Sequence, residues 1–220
     1  GFPQAAELVP YLAELGVSHL YLSPIFAAAP ESNHNYDVID PTVVNPELGG
    51  IDGLRRLARV AHDAGLGLVV DIVPNHLGVE VPRRNRWWWD VLKHGQDSNY
   101  AHFFDIDWAE DNGAGGKIAL PVLGAPGDTD ALKLEHLDGE DVLTYYDHVF
   151  PLAPGSYADL NDDPAAVHER QHYRLMYWRD GIISYRRFFS INGLAGVRQE
   201  DEDVFNATHS CLRELVGEGL

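Results

Sequence analysis

The chain has 220 residues, of which 45% are hydrophobic and 23% are charged, so it can bury a sizeable globular core. Its net charge of −18 argues against nucleic acid and anionic membrane surfaces as partners, because both would repel it. No apolar run approaches the roughly 20 residues that a membrane span needs. The single cysteine, Cys211, fits a reducing compartment, so we expect a cytoplasmic protein.

The first segment of the chain has the pattern of a helix followed by a strand. Apolar residues at helical spacing predict a helix over Gln4–Leu15, in which Pro10 either introduces a kink or marks the first turn of a shorter helix. The β-forming residues of Val17–Leu22 predict a strand. A long loop is expected after it, from Ile25 to about Gly50.

The same order then occurs a second time. A helix is predicted over Gly53–Ala64, with Asp52 as its N-cap and Gly65 at its end. The following run, Leu66–Val70, is apolar on both faces, which is typical of a parallel strand buried on both sides. Two helix–strand units in succession predict an α/β fold with a parallel sheet and right-handed crossovers.

Three polar residues follow the second strand, at the point where it would leave the core. They are Asp71, Asn75 and His76. In a barrel of parallel strands the carboxyl ends of the strands carry the chemistry, so we predict that these side chains converge at a site. The alternative is that Asp71 caps a loop and His76 is a surface histidine.

A different pattern occupies residues 77–190 and predicts an inserted α+β subdomain. Adjacent Trp87, Trp88 and Trp89 cannot all face one core, so two are expected to pack inside and one to be exposed or to meet a partner such as a sugar ring. Asp138-Gly139 between alternating runs predicts a β-hairpin. Asp163-Pro164 predicts the start of a long helix that extends to about Trp178.

Helical periodicity returns in the last segment, where a single helix is predicted over about Glu202–Val216. No strand precedes the first helix and none follows the last, so we expect a barrel truncated at both ends. The predicted organisation is a barrel part over 1–76, the insertion over 77–190 and a return to the barrel over 191–220.

Several short segments resemble the N-terminal part of the α-amylase superfamily of glycoside hydrolases and transglycosylases. They are SPIF, NHNYDVIDP, NPELGG and DIVPNHLG, in that order. Asp71-x-x-x-Asn75-His76 is similar to the first short motif of that superfamily, and Tyr36-Asp37 to its tyrosine in the loop after the second strand. The resemblance implies a partial (β/α)8 TIM barrel, with the α+β subdomain inserted after the third barrel strand.

Segments inside the insertion resemble a narrower group, the maltooligosyltrehalose synthase family of glucosylmutases. They are NRWWWDVLKHG, SNYAHFFDIDW, KIALPVLG, ERQHYRLMYWR and YRRFFSINGLAGVR. The chain departs from that family where Asn35 replaces an expected glycine, near Ser32, where another glycine is expected, and at Ser190, where the family has aspartate.

The resemblance implies a retaining reaction on a maltooligosaccharide or another α-1,4-glucan. The reducing-end α-1,4 linkage would become α-1,1, because the glucosyl unit is passed to the anomeric hydroxyl of the released glucose. The nucleophilic aspartate and the acid glutamate of the family lie on its fourth and fifth strands, beyond Leu220, so no catalytic residue is expected in this chain. We therefore expect the chain alone to be inactive.

The resemblance also implies which residues bind the substrate. Tyr36 would be the platform beneath the sugar at the cleavage point, His76 would donate a hydrogen bond to that sugar, and Asp71 would organise the site. The full predicted set is Tyr36, His76, Asp71, Asn75, His34 and Asp37. No metal or other cofactor is expected, since the sequence has no His-x-His pair and no cysteine cluster. Two alternatives remain, an amylase-type hydrolase and a non-catalytic glucan-binding protein.

Overall fold

The computed structural model describes all residues 1–220, which form two compact units. The first unit comprises residues 1–77 and 199–220, and the second comprises residues 78–198. None of the six helices combines the length and the apolar character that a membrane crossing requires.

The first unit begins with two helix–strand pairs that are separated by a β-hairpin. Its elements up to the boundary are α1 Phe2–Leu15, β1 His19–Leu22, β2 Phe26–Ala28, β3 Val38–Val44, α2 Gly50–Asp63 and β4 Gly67–Val70. Strand β5 His76–Gly78 spans the boundary, since residue 78 is counted in the second unit. Helix α1 begins earlier than predicted and continues through Pro10, so the shorter alternative is wrong. Gly16 ends α1 in the left-handed conformation, with φ of 86°, and donates its N–H back to the helix.

Strands β1 and β4 pair in parallel, with Tyr21 opposite Val69, which confirms the predicted parallel arrangement. Leu20, on one face of the pair, is buried, and the other residues of that face are half-buried. The opposite face is open within this unit, since Tyr21 is 68% exposed and Val69 is 44% exposed. The prediction that the second strand is buried on both sides is therefore wrong for this chain.

The predicted loop over residues 25–50 contains regular structure that sequence reasoning missed. Strands β2 and β3 form an antiparallel hairpin, with Ala28 opposite Val38. A 3-10 turn follows over Pro46–Leu48, in which the Asn45 side chain accepts a hydrogen bond from the Glu47 N–H. The turn leads directly into α2, which begins at Gly50, so the prediction that Asp52 is the N-cap is wrong.

The second unit is an α+β arrangement of short elements. They are α3 Arg86–His94, β6 Ile118–Leu123, β7 Leu132–Leu137, β8 Glu140–Tyr145, β9 His148–Pro151, α4 Pro164–His168, β10 Tyr173–Tyr177 and β11 Leu194–Gly196. Strands β7, β8 and β9 form an antiparallel sheet, and β6 pairs in parallel with β10. Asp138 and Gly139, both with positive φ, form the two-residue turn between β7 and β8, which confirms the predicted hairpin.

Helix α3 explains the three consecutive tryptophans. The Asn85 side chain caps the helix by accepting hydrogen bonds of 3.1 Å from the Trp87 and Trp88 N–H groups. Trp87 and Trp88 are buried, whereas Trp89 is half-buried. The prediction that two of the three pack inside is confirmed, and the third is only partly exposed.

The long helix predicted from Asp163 to Trp178 is wrong beyond its first turns. Asp163 caps α4 as expected, but that helix ends at His168. Residues Tyr173–Tyr177 form strand β10, in which buried Tyr173 and Leu175 alternate with less buried neighbours. Pairing with β6, which is distant in sequence, decides the conformation of this stretch.

The chain returns to the first unit as two short helices, α5 Glu202–Thr208 and α6 Ser210–Gly217. A single helix was predicted here, and the break lies at His209. The Thr208 hydroxyl donates to the Val204 carbonyl at 3.0 Å, and such bonds from a threonine to the preceding turn bend helices.

Candidate functional site

The residues predicted to bind substrate surround Asp71, which follows β4 directly. The Asp71 N–H donates to the Leu22 carbonyl at 2.9 Å, which continues the parallel pairing by one residue. Two phenols donate to the same carboxylate oxygen, Asp71 Oδ2. Tyr36 does so at 2.7 Å and Tyr21 at 2.8 Å.

These hydrogen bonds reinforce the charge states that the three groups ordinarily have at neutral pH. The bond from Tyr36, followed by that from Tyr21, holds the pKa of Asp71 below its ordinary value. The same bonds to Asp71 raise the pKa of Tyr36 and the pKa of Tyr21. These shifts favour the ordinary state at neutral pH, which is one carboxylate anion between two neutral phenols.

The backbone of Tyr36 is held on both sides by histidines. Its N–H donates to His34 Nδ1 at 3.0 Å, and its carbonyl accepts a hydrogen bond of 3.0 Å from His76 Nε2. Because a carbonyl can only accept, Nε2 of His76 carries the proton. His76 is only 2% exposed, and this burial lowers its pKa, which favours the neutral imidazole.

The turn that presents Tyr36 depends on Asn35. This residue has φ of 61°, in the left-handed region that favours glycine, and asparagine is among the residues that tolerate it best. Its side chain is 5% exposed and donates from Nδ2 to the Pro24 carbonyl at 3.0 Å. The glycine expected at this position in the narrower family and the asparagine found here thus satisfy the same backbone requirement.

Ser32 closes the other side of the turn. Its hydroxyl donates to Asp37 Oδ1 at 2.6 Å and accepts from the Asn35 N–H at 3.1 Å. The carboxylate of Asp37 also lies 3.9 Å from His34 Nδ1. These side-chain bonds stabilise a turn in which the resemblance led us to expect glycine.

The structure thus brings five of the six predicted residues into one network: His34, Tyr36, Asp37, Asp71 and His76. Asn75 is exposed in the turn just before His76. Sequence reasoning missed Tyr21 because its role depends on the register between β1 and β4. The alternation of side chains along a strand places Tyr21 on the same face as Asp71 once the register is known, but the sequence does not contain that register.

The arrangement of these residues is suited to binding a ligand and not to breaking a bond in it. Asp71 already accepts two phenolic hydrogen bonds on one oxygen, so it is suited to hold Tyr36 in place. The Tyr36 side chain is 41% exposed and presents an aromatic ring at the surface of the first unit. An aromatic face beside hydrogen-bonding groups can bind a neutral sugar ring.

Comparison with known proteins identifies related sequences. The α-amylase catalytic-domain family matches residues 5–194. The chain is 54% identical over 219 residues to a "Putative maltooligosyl trehalose synthase" of Mycobacterium tuberculosis (strain ATCC 25618 / H37Rv), an alignment that covers 100% of this chain. It is 40% identical over 96 residues, 44% of this chain, to the "Intracellular maltogenic amylase" of Bacillus subtilis (strain 168), of which the alignment covers 15%.

The fold is also similar to a solved structure over nearly its whole length. The maltooligosyltrehalose synthase of Arthrobacter ramosus superposes with a TM-score of 0.90 at 50% identity, over 98% of this chain. The chain spans 27% of the length of the Mycobacterium protein and 28% of the Arthrobacter chain.

Proposed function

Because the chain belongs to the α-amylase family, we propose that it is the N-terminal part of a retaining glucosylmutase that forms maltooligosyltrehalose. The observation that carries the proposal is the 54% identity over the entire chain, including the second unit. The maltogenic amylase, by contrast, matches less than half of the chain. A cytoplasmic location remains a prediction from composition.

In this proposal the first unit is part of a (β/α)8 barrel. Strands β1 and β4 would be its second and third strands, and the second unit would be the insertion that follows the third. Helices α5 and α6 would lead to the fourth strand. The parallel pairing of β1 and β4, with α2 between them, supports this assignment.

The substrate is proposed to be the reducing end of a maltooligosaccharide. The ring of Tyr36 would support the sugar at the cleavage point. Asp71 accepts a hydrogen bond from the Tyr36 hydroxyl, and His76 donates one to the Tyr36 backbone carbonyl, so both hold this residue in place. The single N–H of the neutral His76 imidazole goes to the Tyr36 carbonyl, so the predicted hydrogen bond from His76 to the sugar would have to replace that bond. His34 and Asp37 would maintain the turn, and Asn75 would shape the loop before His76.

The bond-breaking carboxylates are proposed to lie in other parts of the complete protein. One carboxylate would attack the anomeric carbon while a carboxylic acid protonates the leaving oxygen. The anomeric hydroxyl of the released glucose would then displace the enzyme carboxylate, with loss of its proton to the acid–base residue. Two displacements at one carbon retain the α configuration and give the α-1,1 linkage.

The test uses the full-length protein with maltopentaose, and follows reducing ends and free glucose together. Loss of reducing ends with little glucose would support transfer within one substrate molecule. A rise in reducing ends would favour the second candidate, a glucan hydrolase, which the similarity to the maltogenic amylase supports. No change in either quantity would favour a non-catalytic glucan-binding protein. The 220-residue chain serves as the control and is expected to be inactive.

A further inference from the structure

We propose that Tyr21 is a positioning residue for the sugar platform, acting on Tyr36 through the shared oxygen of Asp71. Tyr21 lies on β1, and neither the proposed mechanism nor the sequence motifs assign it a role. The proposal rests on the proposed function, because the platform matters only if Tyr36 meets a sugar.

The strand register explains why the Tyr21 phenol reaches Asp71. In the parallel pair of β1 and β4, Tyr21 is opposite Val69. Asp71 lies two residues after Val69, so its side chain leaves the sheet on the same face. The Tyr21 hydroxyl therefore meets the carboxylate from a neighbouring strand, at 2.8 Å.

The two donors to Asp71 differ in how firmly the backbone holds them. Tyr21 is inside a strand that is paired at every one of its residues, whereas Tyr36 is in the turn between β2 and β3. The terminal torsion of an aspartate has broad minima, so without Tyr21 the carboxylate would be held only by the Tyr36 hydroxyl and the Ile72 backbone N–H and would rotate more freely. The Tyr21 hydroxyl, which is held by strand β1, selects one orientation of the carboxylate. The position of Asp71 Oδ2, which accepts the hydrogen bond from Tyr36, is then fixed.

The consequence concerns the plane of the Tyr36 ring. His34 and His76 hold its backbone, but the hydrogen bond at the hydroxyl fixes the far end of the ring. If Asp71 lost the hydrogen bond from Tyr21, the Tyr36 ring would sample more orientations and the sugar would meet a less ordered platform. Because a stacked ring supports ground state and transition state alike, the loss should raise KM more than it lowers kcat.

The experiment substitutes Tyr21→Phe in the full-length protein and measures kcat and KM for the conversion of maltopentaose. Phenylalanine keeps the ring and removes only the hydroxyl. We expect kcat/KM to fall about 3- to 10-fold, mostly through KM, as for the loss of one hydrogen bond. Tyr11→Phe is the matched control, because Tyr11 is similarly exposed on α1 and lies outside the network, and it should leave both constants unchanged.

A double-mutant cycle separates positioning through Asp71 from a merely structural effect. In a Tyr36→Phe background the Tyr36 hydroxyl is already absent, so adding Tyr21→Phe should cause no further loss. Losses that add, or an unchanged kcat/KM in the single variant, would overturn the positioning role. Absence of the α-1,1 product with the unsubstituted protein would instead overturn the proposed function.

Discussion

His76 Nε2 donates a hydrogen bond of 3.0 Å to the carbonyl oxygen of Tyr36. The bond joins the start of β5 to the turn between β2 and β3, two segments that are 40 positions apart in sequence. It fixes the backbone of the residue whose hydroxyl Asp71 holds. The motif histidine and the motif aspartate therefore act on the same tyrosine from opposite ends.

Replacement of His76 by alanine in the full-length protein should impair turnover. The variant loses a buried hydrogen bond to the Tyr36 backbone, so we expect kcat/KM to fall by the equivalent of about 1–3 kcal/mol. Steady-state kinetics with maltopentaose measures the effect. His62→Ala is the control, because His62 is exposed on α2. An unchanged kcat/KM for His76→Ala would remove this residue from the site.

Substitutions of Asn35 should show that a left-handed backbone is required. Asn35→Gly keeps that conformation and loses the bond to the Pro24 carbonyl, so it should lower the free energy of unfolding by about 0.5–1.5 kcal/mol. Asn35→Ala loses the same bond and also places an alanine in the left-handed conformation, where its Cβ atom is crowded, so it should lower the free energy of unfolding by about 2–3 kcal/mol. Urea denaturation of the 220-residue chain compares the two variants. An alanine variant as stable as the glycine variant would contradict this explanation.

Stability of the second unit should fall in mild acid because of His168. Its Nε2 accepts a hydrogen bond of 3.0 Å from the Leu175 N–H, so the imidazole is neutral, and burial lowers its pKa despite the opposing effect of Glu169. Lys117 and Arg174 lower it further. Since the unfolded state binds the proton more readily, the stabilisation is complete above about pH 6.5 and decreases as the pH falls towards the folded pKa.

The measurement is the free energy of unfolding of the unsubstituted chain and of the His168→Gln variant between pH 5 and 8. Titration of His168 can change this free energy by at most about 1.4 kcal/mol per pH unit. Burial lowers the pKa values of His76 and His172 as well, so part of the acid sensitivity should persist in the variant. We expect the stability of the unsubstituted chain to fall more steeply below pH 6.5 than that of the variant. Parallel curves would contradict the assignment to His168.

The tryptophans of α3 should differ in their contribution to stability. Trp88 is fully buried and makes edge contacts with Phe104 and Tyr185, at centroid distances of 4.9 and 5.2 Å. Trp88→Ala should therefore cost about 3–5 kcal/mol. Trp89 is half-buried beneath the Arg83 guanidinium, so Trp89→Ala should cost no more than about 1 kcal/mol. Equal losses in urea denaturation would contradict the burial that the structure assigns.

Local patterns predicted the elements that local interactions determine. The helix predicted over Gly53–Ala64 is α2, whose apolar residues Leu54, Leu57, Ala58 and Ala61 form its buried face. Asp138-Gly139 gave the hairpin turn correctly, since both residues tolerate positive φ.

An interaction between distant segments decided the stretch that was predicted as the end of a long helix. Residues 173–177 carry apolar spacing that suits a helix, but pairing of Tyr173 with Ile118 makes them a strand. The network at Asp71 was only partly predictable for the same reason. The motifs pointed to Tyr36 and His76, whereas the contribution of Tyr21 depends on a strand register that no local pattern contains.

The most direct test of the central claim is mass spectrometry of the product after borohydride reduction. The full-length protein is incubated with maltopentaose, and the mixture is then reduced. We predict a product with the mass of the substrate that takes up no hydrogen, because an α-1,1 linkage leaves no reducing end. Shorter products that do take up hydrogen would show hydrolysis and would contradict the assignment as a glucosylmutase.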